Sequence, residues 1–226
     1  IESQLDAVEE LISNPLLKQE LQEVLNNIQD MERLISRVSF GSANPKDLLA
    51  LKNSLENLPK LQSLLSTSKT NELQRIAKLP DLKQLTELLS KAIKDDPAFT
   101  IREGNIIKHG FNKELDELHE ITNNGKQYIL NLETKEREKT GIKTLKIRYN
   151  KVFGYFIEIT KSNLHLAPEN YIRKQTQVNS ERFITPELKE KEDLILTAKE
   201  KIHTLEYDLF MELLSECAIC IKEIQE

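Results

Sequence analysis

The sequence predicts a mainly α-helical protein: a helical bundle core, then a long antiparallel two-helix lever carrying a small antiparallel β-sheet at its tip. Three observations predict it. From Ile1 to about Lys94, leucine and isoleucine recur at spacings of three and four, the period of amphipathic helices. Two later stretches carry longer seams at spacings of three and four, the pattern of helices packed along each other. Between those stretches, residues 143–184 alternate apolar and polar with a period of two, as half-buried strands do.

Within residues 1–111, the helical core, five or six helices of ordinary length are expected, with connections too short for intervening strands. Asn44, Pro45 and Asp47 form a start signal of N-cap, N1 proline and acidic N3. Pro15, Pro59, Pro80 and Pro97 mark further breaks, and Ile106, Ile107 and Lys108 a brief extended link. Residues 112–141 are the ascending lever helix, capped by Asn112 and ended by Gly141 at C′. Its seam is Leu115, Leu118, Thr122, Gly125, Ile129 and Leu132. Residues 186–226 are the descending helix, with Thr185 as N-cap, Pro186 at N1 and a seam of Ile195, Ala198, Ile202, Leu205, Leu209 and Leu213. At about 1.5 Å per residue it extends on the order of 60 Å, more than a compact domain needs.

Residues 142–185 are the β-rich part. Leu145, Ile147 and Tyr149 alternate with Lys146 and Arg148; Phe153, Tyr155, Ile157 and Ile159 share one face of a second strand; a third runs from Tyr171 to about Gln177 and a fourth from Ser180 to Ile184. The cations Lys143, Lys146, Arg148, Lys151, Lys161, Arg173, Lys174 and Arg182 face only Glu158, Glu169 and Glu181, a net of +5 in a chain whose total is −5. The remainder therefore carries −10. A basic sheet on an acidic scaffold suits a polyanion backbone. Gln175, Thr176, Gln177, Asn179 and Ser180, between Lys174 and Arg182, supply neutral donors for phosphate oxygens. The same surface also suits a simple solvated face.

Composition narrows the function classes. At 226 residues with 38% hydrophobic and 31% charged residues, the chain has a charged exterior and enough apolar residues for one large core or two modest ones. No apolar run approaches the roughly 18–20 residues of a membrane span. The N-terminus IESQLDAVEELI has neither a basic n-region nor an apolar signal core nor an initiator Met, so the chain is read as a segment of a longer one. Cys217 and Cys220 lack a second pair or a nearby His, and are read as facing the core of their helix; such sparing use suits a reducing cytosol. There is no G-x-x-x-x-G-K, no H-E-x-x-H and no G-x-S-x-G. The four histidines show no ligand spacing. Catalysis, cofactor binding and metal binding by this segment are not expected.

The stretch YNKVFGYFIEITKSNLHLAPENYIRKQTQVNSERFITPELKEKE resembles the clamp and following lever helix of the MutS family of DNA mismatch-repair proteins. MERLISRVSFGSANPKDLLALKNSLENLPKL resembles that family's helical core, and FNKELDELHE with EREKTGIKTLKI its ascending lever. The resemblance implies a parent protein that is a homodimeric, DNA-dependent ATPase using ATP and Mg, encircles double-stranded DNA, recognises mismatches and couples to downstream repair proteins. It implies a cytoplasmic, nucleoid-associated bacterial protein with no membrane attachment. The family's mismatch-reading and ATPase domains have no counterpart in these residues, so the segment itself is expected not to be an enzyme. The DNA-backbone contacts it implies are Lys174, Asn179 and Arg182, and then Asn150, Lys151, Arg173, Gln175 and Thr176. Lys174 stands where the family often has Arg, which keeps the charge but loses the bidentate fork.

Two other readings stay open. One is a helical protein-interaction scaffold, whose sheet should expose apolar anchors such as Phe156 or Phe183. The other is the same segment of a meiotic-type relative without mismatch reading. A nuclease would need paired acids at the basic face, where only Glu158 and Glu181 offer themselves.

Overall fold

A computed structural model describes residues 2–78 and 80–225. The chain forms two compact units, Ile1–Phe111 with Leu205–Glu226, and Asn112–Thr204.

The first unit holds α1 (Glu2–Ser13), α2 (Pro15–Leu25), α3 (Met31–Ser39), α4 (Pro45–Ser66), α5 (Asn71–Ile76) and α6 (Lys83–Ala92). Asn44 caps α4 in a reciprocal box: its Oδ1 accepts from the Asp47 amide at 3.0 Å while the Asp47 carboxylate accepts from the Asn44 amide at 2.8 Å. Leu34, Ile35, Leu48, Leu51 and Leu89 are buried among these helices. Contrary to the sequence expectation, α4 runs straight through Pro59. An interior proline costs roughly 3 kcal/mol; burial of Leu55 and Leu61 on either side of it holds the helix together.

The extended link after α6 forms as expected, with Ile107 bridging Ile93. It is held by Glu206, a fully buried carboxylate that accepts from the amides of Asn105, Ile106 and Ile107 at 2.8, 2.9 and 3.2 Å. On its outer side Asp95 accepts from Lys108 at 3.0 Å and Lys52 at 3.4 Å. The last helix is not continuous to the chain end. It closes with an i→i+3 bond from the Cys220 amide to the Cys217 carbonyl (3.2 Å), and a short α9 (Ile221–Gln225) packs on α3. Cys217 is buried, which pushes its thiol up to about 12, and Cys220 is half-buried.

The second unit contains α7 (Lys113–Thr140), strands β1 (Lys146–Asn150), β2 (Gly154–Thr160), β3 (Ile172–Thr176) and β4 (Ser180–Ile184), and the first part of α8 (Pro186–Ile219). Asn112 caps α7 through the Leu115 amide (3.0 Å), and Gly141 ends it in the left-handed conformation (φ 70°). All six expected seam residues of α7 are buried, from Leu115 to Leu132. On α8, Ile195, Ala198, Ile202, Leu209 and Leu213 are buried and Leu205 half-buried. The sheet is antiparallel with order β1-β2-β4-β3. One face, with Ile157, Ile159 and Phe183, packs on Ile129, Leu132, Ile142, Leu145, Leu188 and Ile195. Polar ties reinforce this seat. The Tyr171 hydroxyl donates to Glu136, and the Ile147 amide donates to Glu133 at 2.6 Å. Arg137 Nε donates to the Leu145 carbonyl at 2.7 Å. Burial, with the Glu136 contact second, drives the Tyr171 hydroxyl far above its ordinary value.

Candidate nucleic-acid interface

Strand pairing decides where each expected contact residue lies. Ile157 pairs with Phe183 and Glu158 with Arg182, so Arg182 occupies the sheet face opposite the core, with Lys146, Arg148 and Glu158. β3 is irregular: Arg173 pairs with Phe183 and Gln175 with Arg182, which leaves Lys174 as the extra residue of a β-bulge. Lys174 is exposed, and its side chain makes no hydrogen bond or ion pair with a described residue. Thr176 and Asn179 are likewise exposed at the β3–β4 end, where the Asn179 carbonyl accepts from the Lys161 amide at 3.0 Å. Asn150 ends β1, paired with Gly154, and Lys151 begins the β1–β2 turn, at the other end of β2. Seven residues of strand separate the two ends by roughly 20 Å. The expected contacts thus fall into two groups rather than one patch.

The arginines behave differently from the lysines. Arg173 Nε lies 2.7 Å from Glu181, whose side chain is only 7% exposed. Arg148 Nε lies 3.5 Å from Glu158. Arg182 has a side chain just 16% exposed; it donates through Nη1 to Gln175 Oε1 at 2.7 Å and stacks 4.3 Å over the Phe156 ring. The basic window therefore does alternate in sign across its strands, which the sequence reading did not expect. Its arginines are partnered within the sheet, while Lys143, Lys146, Lys151, Lys161 and Lys174 are exposed, with no side-chain partner among the described residues.

Phe153 does not join the core face with Tyr155 as expected. It lies in the β1–β2 turn and is 41% exposed, because Gly154 takes φ 72° and turns the strand there. Against this turn lies Glu192 of α8, a buried carboxylate that the sequence did not single out. It accepts from the Tyr155 amide and from Lys189 (2.5 Å), and a Cβ on residue 154 would overlap it. Nearby, Tyr149 packs against Tyr155 at 5.0 Å between ring centroids and lies under Lys199 Nζ at 5.8 Å. The aromatics of the window thus build the hairpin and its seat. No signal in the sequence marks Glu192 apart from the neighbouring helix acids, since its partner lies 37 residues away.

A family model, "MutS family domain IV", matches residues 110–201, the span of α7, the sheet and the first part of α8. Over the whole chain, a DNA mismatch repair protein MutS of Methanosarcina barkeri is 50% identical, and its counterparts in Caldanaerobacter subterraneus and Halothermothrix orenii are each 51% identical. The chain belongs to the MutS family. It spans about a quarter of the length of these MutS relatives (26%, 26% and 25%). Among the described residues of this MutS segment, no group of three His, Cys, Asp or Glu side chains is placed to hold a metal ion, and no helix is long and apolar enough to cross a membrane.

Proposed function

We propose that this segment is the core, lever and clamp of a MutS-type mismatch-repair protein, and that its sheet holds the sugar-phosphate backbone of duplex DNA without reading sequence. The observation that carries this is the set of five exposed lysines, without side-chain partners among the described residues, on the strands, turns and flanking loops of the sheet. Lysine is a point charge suited to phosphate wherever the duplex presents it. Between β1 and β4 the described residues form strands, turns and one short 3-10 helix, Lys161–Leu166, with no α-helix of the kind that reads a major groove. The anchors named for the protein-docking alternative, Phe156 and Phe183, are 2% and 5% exposed, and exposed apolar side chains such as Val152, Phe153, Ile172 and Val178 are spread over the two turns and an edge strand.

For the longer protein, the family membership supports mismatch recognition by a homodimer around DNA, coupled to downstream repair proteins. ATP and Mg are then handled by residues outside this segment, and the site of work is the cytoplasm, at the nucleoid. The segment itself performs no chemistry in this reading.

The test is binding of the 226-residue chain to a fluorescent duplex across a salt series. Log K should fall linearly with log salt, by about 0.9 for each phosphate neutralised. Matched and mismatched duplexes should bind alike. A salt-independent affinity, or a preference for the mismatched duplex, overturns the proposal.

A further inference from the structure

We infer that Arg182 is a positioning residue rather than a phosphate ligand: it locks the β3 bulge so that Lys174 is the cation presented to the backbone. This rests on the clamp reading above and changes the division of labour within it.

The geometry of the bulge carries the argument. A bulge adds one unpaired residue, bends the strand and re-aims the side chain at that position. Such a device gives a defined direction only if the residues flanking it are held. Here both flanks are held, on opposite faces. On the core side Arg173 pairs with Glu181 at 2.7 Å. On the outer side Gln175 accepts from Arg182 at 2.7 Å. The Arg182 guanidinium is fixed in turn by stacking 4.3 Å over Phe156, a ring only 2% exposed. Lys174, between the two struts, is left exposed and without a partner.

Arg182 is poorly placed to serve a phosphate directly. Its side chain is 16% exposed, one face is covered by Phe156 and one Nη is committed to Gln175. Its buried Nε has no hydrogen-bond partner among the described residues, and the Glu158 carboxylate 3.9 Å away favours the guanidinium where it is. To reach a phosphate the fork would have to leave its stack on Phe156 and its bond to Gln175.

The experiment is a double-mutant cycle on the 226-residue chain, with duplex affinity and its salt slope as readouts. Lys174→Ala should weaken binding and reduce the slope by about 0.9, one phosphate. Arg182→Gln should weaken binding in the parent, yet weaken Lys174→Ala by less than about twofold further, since a residue acting through another is not additive with it. Gln175→Met, which removes the acceptor while leaving Arg182 in its stack, should reproduce the Arg182→Gln result and serves where that variant folds poorly. Amide hydrogen exchange at Lys174, read without DNA, should quicken in both strut variants and stay unchanged in Lys174→Ala. If the parent binds duplex but the Lys174 and Arg182 effects add, each with its own loss of slope, Arg182 is a direct contact and this assignment falls while the clamp reading stands. If the parent does not bind duplex at all, the clamp reading falls and takes this one with it.

Discussion

At the scale of single residues, three buried carboxylates do more for this chain than its many exposed ones. Glu136 receives the Tyr171 hydroxyl, Glu192 the Tyr155 amide and Glu206 three successive amides of the 105–107 link. Glu192 also dictates its neighbour. Gly154→Ala should cost about 1–3 kcal/mol, combining left-handed strain with overlap against that carboxylate. Adding Glu192→Ala should not deepen the loss by the full cost of that substitution alone; urea midpoints of the four variants check this, and full additivity counts against the overlap. Asp95 offers a contrasting, exposed case. Its hydrogen bond from Lys108, helped by Lys52, holds the carboxyl below its ordinary value near 3.8. Its folded value is depressed, so its contribution is complete above about pH 4 and is lost as pH falls through the folded value. Asp95→Asn should therefore be slightly less stable than the parent at pH 7, by an amount that shrinks with salt, and the gap should close in acid. Melting temperatures across pH 2–7 test it, and a gap that widens in acid would contradict the sign.

At the scale of elements, the helical seams were the most legible part of the sequence. Every expected α7 seam position is buried, because a 3-4 spacing of Leu and Ile leaves a helix one face to hide. Gly125 is the informative member. A Cβ there would come 2.4 Å from Ile195 Cγ1, so the glycine lets α7 and α8 close on each other. Alanine would gain roughly 1 kcal/mol of helix propensity, yet must displace a fully buried side chain. Gly125→Ala should therefore be destabilising, and less so in an Ile195→Ala background than in the parent. Thermal denaturation of the four proteins decides; a stabilised Gly125→Ala refutes the close-packing account. The strands were legible to within a residue or so, and β4 runs from Ser180 to Ile184 as expected. The bulge at Lys174 and the turn at Phe153 were not, since both arise from partners far along the chain. Pro59 misled for the same reason: local propensity argued for a break that packing around Leu55 and Leu61 overrides. Of the candidate contacts, residue type and charge were visible in advance. Which cations are already partnered became visible only with the cross-strand register.

At the scale of the molecule, charge is segregated. The chain has an isoelectric point near 5.6 while its sheet region carries the excess of cations. Lys151 and Lys174, at opposite ends of the sheet, should weaken duplex binding independently. Their combined loss should match the sum of the single losses to within about 0.3–0.5 kcal/mol. Strong coupling in titrations of the double variant would mean that the two ends form one contact after all. The bond from Glu206 to the 105–107 link has a consequence of another kind, in the order of synthesis. The acceptor follows its donors by 99 to 101 residues. At about 5–20 residues per second, the link therefore waits roughly 5–20 s on the ribosome before the carboxylate that satisfies its amides is made. The unit made in that interval, Asn112–Thr204, is continuous in sequence and has all its own residues before Glu206 appears. The first unit is thus begun first and finished last, and its six leading helices spend that time without the helix that completes them.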